Sequence, residues 1–94
     1  MTDRTPCRTP EGKSATNIPA WKFDACRDAL LAELAGGEVR ASEIAKRAGA
    51  RLSAEQLADL GSLGWHMTTV RLEMEVRGEI LRVPGAKPVT LRLP

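Results

Sequence analysis

The chain has 94 residues, 43% hydrophobic and 28% charged, with a net charge of +2. That describes one small globular domain, able to bury roughly 60% of the surface it exposes when unfolded. The charge balance falls short of a strongly electrostatic nucleic-acid binder. No apolar run approaches the roughly 18 residues of a membrane span, so the chain is expected to be soluble and cytoplasmic.

Residues 1–18 are rich in Thr, Arg, Pro, Gly and Ser and almost empty of apolar side chains, which predicts a disordered tail ahead of a domain spanning 19–94. Asp3, Arg4, Arg8, Glu11 and Lys13 interrupt this stretch and argue against a secretory leader. Order is expected from Ile18–Pro19, proline being tolerated in a first helical turn. Phe23, Cys26, Leu30, Leu31 and Leu34 then fall on one face of a 3.6-residue period, and Gly36-Gly37 stops that helix. Glu38-Val39-Arg40 is a small strand or connector.

Ser42 is the expected N-cap of a short second helix carrying Ile44, Ala45 and Ala48 and ending at Gly49. Ser53-Ala54-Glu55-Gln56 is a capping box that opens a third, through Leu57 and Leu60. The next segment fits two templates. Val70, Leu72, Met74 and Val76 alternate with charged residues as in a half-buried strand. Projected on a helix, Leu63, Met67, Val70 and Met74 form one apolar stripe and Trp65, Thr69, Leu72 and Val76 a second. Two i,i+4 pairs of opposite charge, Arg71–Glu75 and Glu73–Arg77, favour the helix. Gly78 at a C-terminal cap position favours it too. After Gly78, Glu79–Val83 and Val89–Leu93 read as strands around a Pro84–Pro88 turn, with Pro84-Gly85 suited to type II geometry.

The fold class this order predicts is α+β, mainly α: a winged helix-turn-helix of three to four helices followed by a two-stranded β-hairpin wing. The run from Val70 to Val83 resembles the end of the recognition helix and first wing strand of many winged-helix regulators. More narrowly, Trp21–Leu93 resembles a small bacterial winged-helix-like family of unknown function. Its marks are Lys22-Phe23-Asp24-Ala25, Gly64-Trp65, Val70 with Leu72, Met74 and Glu75, and the Arg82-to-Pro88 wing. The resemblance implies the fold and carries no established biochemical role.

The functional expectation is duplex DNA binding of transcription-regulator type. Thr68, Thr69 and Arg71 would meet base edges, while Arg82, Lys87 and Arg92 would meet phosphates. Glu73 and Glu75 oppose this, because they repel phosphates and cancel the charge along the helix. The alternative is a non-enzymatic protein-interaction or dimerisation module without nucleic-acid binding, with Trp65, Leu72 and Val76 in the interface. A third reading covers that stripe with the C-terminal hairpin and leaves the charge pairs as solvated decoration.

Trp65 and Cys26 are expected as core volume, and His66 as a partly exposed residue at the helix start. No metal-ligand spacing, phosphate loop, paired carboxylates or Ser/His/Asp set stands in the sequence, so neither an enzyme nor a cofactor is expected.

Overall fold

A computed structural model describes residues 3–12 and 15–94. The stretch expected to be a disordered tail contains two strands, β1 (Arg4–Arg8) and β2 (Ala15–Pro19), paired antiparallel with Thr5 opposite Ile18 and Cys7 opposite Thr16. The parts of that expectation falling on 1, 2, 13 and 14 lie outside the described residues.

The physical reason for the correction is that composition hid a usable pattern. Cys7 and Ile18 are the hairpin's buried residues, and both join the main core. Pro6 and Pro19 stand opposite Asn17 and Arg4. The N–H of Arg8, on the same alternation as Pro6, points away from β2 and donates to Glu73 at 2.8 Å. Both prolines therefore occupy outward-facing positions, where a missing N–H breaks no ladder bond and blunts the open edge.

The rest of the chain runs α1 (Ala20–Leu34), β3 (Val39–Arg40), α2 (Ala41–Gly49), α3 (Ala54–Leu60), α4 (Leu63–Arg77), β4 (Leu81–Arg82) and β5 (Thr90–Arg92). The described chain is thus α+β, with four helices and two small antiparallel sheets. The expected helical face of α1 is buried at Phe23, Cys26, Leu30 and Leu34. Helix α2 begins at Ala41, so Ser42 lies inside its first turn and Arg40 occupies the cap position without a side-chain bond. The capping box at α3 forms: the Gln56 N–H donates to Ser53 Oγ at 3.0 Å and the Ser53 N–H to Gln56 Oε1 at 2.9 Å. Helix α4 starts under Ser62, whose hydroxyl oxygen accepts from the Trp65 N–H at 3.3 Å.

Residues 70–76 are helical, as the charge pairs and Gly78 predicted. Gly78 takes a left-handed φ of 77°, and the Glu79 N–H reaches back to the Met74 carbonyl at 2.9 Å while the Gly78 N–H reaches Glu75 at 3.1 Å. These are the two bonds of a Schellman termination, open to a residue without a Cβ. Met67, Val70 and Met74 are buried as the first stripe required, with Leu63 half-buried. Among the described residues no helix is long and apolar enough to cross a membrane.

The C-terminal hairpin turns as expected: Gly85 has φ 75° and the Ala86 N–H donates to the Val83 carbonyl at 3.3 Å. Its sheet is larger than a two-stranded wing. Strand β3 pairs with β5, giving the order β3-β5-β4, with Val39 opposite Leu91, Arg40 opposite Thr90 and Leu81 opposite Arg92. Residues opposite one another share a sheet face. Val39, Leu91 and Arg82 therefore face inward, and Arg40, Thr90, Arg92 and Leu81 face away from the core.

Candidate functional site

The helix expected to read a partner, α4, is flanked on both sides. On one flank β1 packs against it through a carboxylate. Glu73, only 1% accessible, accepts the Arg8 N–H at 2.8 Å, Arg8 Nε at 3.0 Å, Arg8 Nη2 at 2.8 Å and Arg77 Nε at 2.8 Å. Four donors hold this carboxyl down at about 2, the Arg8 side-chain bonds contributing most, against a desolvation that alone would raise it. The Arg77 guanidinium in turn stands 4.7 Å from the centre of the Phe23 ring on α1, within cation–π range. The hairpin is thereby tied to α4 and α1 by one contiguous polar and aromatic contact set.

On the other flank the sheet meets α4 through Glu75. This carboxylate accepts Arg71 Nη1 at 2.6 Å and Arg82 Nε at 2.5 Å. Its side chain and that of Arg71 are largely covered, Arg71 to 13% accessibility. Arg82 is raised above its ordinary value first by the Glu75 hydrogen bond, with a smaller contribution from Glu11 at the N-terminal hairpin's turn. The i,i+4 pairs anticipated from sequence are therefore formed within α4, and their covered carboxylates, Glu73 and Glu75, each take a further arginine, Arg8 or Arg82, from a neighbouring strand.

Between these flanks lies the outward surface of α4. Trp65 is 50% exposed, which overturns its expected place in the core: its indole packs edge-on against His66, ring centres 4.8 Å apart, on the side away from Met67 and Val70. Leu72 and Thr69 are half-buried, Thr68 is exposed, and Val76 is exposed at the end of the stripe. A cleft of about 200 Å³ opens between this surface and the N-terminal hairpin, lined by Trp65, Thr69, Leu72, Cys7, Arg8, Thr9 and Thr16. Leu72 thus faces the N-terminal hairpin across this cleft, where one of the readings above covered it with the C-terminal hairpin.

The six residues considered for DNA contact do not form one surface. Arg71 and Arg82 converge, but on Glu75. Thr68 stands on the open side of α4 and Thr69 faces the cleft. Lys87 sits in the exposed turn before β5. Arg92 lies on the opposite sheet face from Arg82, beside Leu81 and diagonal to Arg40. The interface set Trp65, Leu72 and Val76 does share the outward side of α4 by helical projection.

Sequence reasoning missed Arg8, for which the period-two placing of Cys7 and Ile18 around a turn was the available signal.

This chain is a small α+β domain whose candidate site is the outward surface of α4 and the cleft beside it. It belongs to the family of unknown function DUF6958, whose model matches residues 4–91. The matched stretch begins with β1, so the family's extent includes the N-terminal hairpin. No curated protein and no solved structure matches the chain.

Proposed function

We propose that this chain is a non-enzymatic winged-helix module that binds protein, a second copy of itself included, through the outward surface of α4. The winged-helix assignment is supported by the order α1, β3, α2, α3, α4, β4, β5, with β5 between the first short strand and β4. The observation that carries the binding reading is the contrast along α4. Its arginine nearest the reading position is covered and neutralised by Glu75, while Trp65 is half exposed beside Leu72 and a cleft. Leaving apolar side chains of this size in water forgoes about 1.5–3 kcal/mol each, which association recovers. A rigid aromatic beside a concave site is the usual form of an interface anchor.

Duplex DNA binding is supported less well by this geometry. A helix that reads a major groove contributes cations to a negatively charged surface, and phosphate neutralisation dominates affinity. Here two arginines and one carboxylate on the wing side leave a single net charge, already bonded.

The reading is tested by light scattering of the full chain from micromolar to near-millimolar concentration, with Trp65 emission followed in a Trp21→Phe background. Mass should rise toward that of a dimer as the emission shifts, and Trp65→Ala should hold the chain monomeric at unchanged helicity. A mass fixed at one chain with constant emission would contradict it.

A further inference from the structure

The outward surface of α4 carries a projection and a recess side by side. Trp65, in the first turn of the helix, is 50% exposed. Its indole also forms one wall of the cleft of about 200 Å³, which Thr69 and Leu72 line from α4 and Thr16 lines from β2 of the N-terminal hairpin. An apolar cavity of about 150 Å³ is enough to hold a benzene ring. The cleft therefore has room for one larger aromatic side chain, and not for a strand or a helix.

The surface is also neutral. Arg71, Glu73, Glu75 and Arg77 of α4 are all ion-paired along its flanks, and Trp65, Thr68, Thr69, Leu72 and Val76 between them carry no charge. A charge brought onto that strip would be buried without a counter-ion, at a cost in affinity. The fitting occupant is thus uncharged, supplies an aromatic side chain to the cleft, and offers a recess for the exposed Trp65. The α4 surface of a second copy has all three properties. A symmetric pair requires this arrangement, because an isologous contact uses one patch on both partners and needs projection and recess on the same face.

We propose that the partner bound at this surface is a second copy of the chain, docked about a two-fold axis so that each Trp65 enters the other copy's cleft, between α4 and the N-terminal hairpin. This rests on the reading of α4 as a protein-binding surface, and adds the occupant and the hairpin's part in the contact. Because each Trp65 also lines its own cleft, the two indoles come to lie beside one another near the axis, in the offset or edge-on packing that aromatic pairs favour. The helix spans about 22 Å, and with the hairpin the face is about two helix widths across, so each copy covers roughly 500 Å². That is below the area of a permanent interface and sets a weak, reversible dimer.

The test uses a mixture of isotope-labelled and unlabelled full chain at near-millimolar concentration in the Trp21→Phe background, with isotope-filtered NOEs read from the Trp65 indole. They should run to the methyl groups of Thr16 and Leu72 on the other copy. Thr16→Arg puts a charge on the hairpin wall of the cleft, while Asn17→Arg puts the same charge on the next residue, which points to the opposite face of the hairpin. At unchanged helicity, Thr16→Arg should raise the dissociation constant of self-association at least about tenfold by light scattering. Asn17→Arg should dimerise as the wild type does, and added salt should leave the wild-type mass unchanged. Self-association that survives Thr16→Arg, that is lost equally in Asn17→Arg, that salt disperses, or whose intermolecular contacts reach neither methyl-bearing residue would overturn this docking and leave the α4 reading standing. A chain that stays monomeric contradicts both.

Discussion

Replacing Glu73 by Gln removes the charge that holds the N-terminal hairpin to the helical core. The carboxyl sits at about 2 instead of its ordinary 4.5. At about 1.4 kcal/mol for each tenfold of proton affinity, that corresponds to about 3 kcal/mol of folded-state stabilisation at neutral pH. Arg8, its main partner, is 56% exposed and shares its charge with solvent, which lowers the expected figure to about 2 kcal/mol.

For a domain of this size each kcal/mol moves Tm by roughly 4–8 °C, so Glu73→Gln should melt roughly 8–16 °C lower at pH 7. The folded-state value lies below the unfolded one, so this contribution is complete above pH 4.5 and is lost as pH falls toward 2. The Tm difference between wild type and variant should therefore shrink through that window and vanish near its lower end.

The loss should also be local. Cys7 is buried on β1, and burial is the chief cause that pushes its thiol up. It should react slowly with an aromatic disulfide reagent in the wild type and much faster in the variant. Equal melting temperatures at pH 7, a difference that persists undiminished near pH 2, or a Cys7 that stays protected in a destabilised variant would refute the reasoning.

Glu75→Gln releases Arg71 and Arg82 from their shared carboxylate, and should bring out weak, salt-sensitive binding to duplex DNA at low salt where the wild type shows none, read by fluorescence anisotropy; a variant as silent as the wild type would show that Glu75 is not what restrains them. Gly78→Ala forces a left-handed φ on a residue with a Cβ and should cost about 1–2 kcal/mol in a urea melt with the slope unchanged. Ser53→Ala removes the α3 cap and should cost about 1 kcal/mol by the same assay. Cys26, pushed up to about 11 mainly by burial, should remain unmodified by a thiol reagent at neutral pH until the chain unfolds.

The helical part of the fold was legible because its signals are local. The spacing of Phe23, Cys26, Leu30 and Leu34, the Ser53–Gln56 box and the charge pairs before Gly78 each act within a few residues. The N-terminal hairpin was not legible, because its threonines and prolines carry the composition of a tail and its stability comes from Glu73, 65 residues from Arg8. Trp65 misled for a related reason: scarcity of aromatics suggested a core role, but Met67, Val70 and Met74 already fill the inward side of α4. The residue types of the candidate site were visible in sequence; their grouping was not. Arg82 and Arg92 stand on the two strands of one hairpin, yet the β4–β5 register, Leu81 opposite Arg92 and Arg82 opposite Leu91, sends them to opposite faces of the sheet.

The claim that α4 presents a protein-binding surface and not a DNA-reading one is tested most directly by titrating a labelled mixed-sequence duplex with the full wild-type chain at low salt. The account predicts no saturable rise in anisotropy at micromolar protein, and no difference between wild type and Arg82→Glu. Saturable binding that falls steeply with added salt and disappears in Arg82→Glu would contradict it.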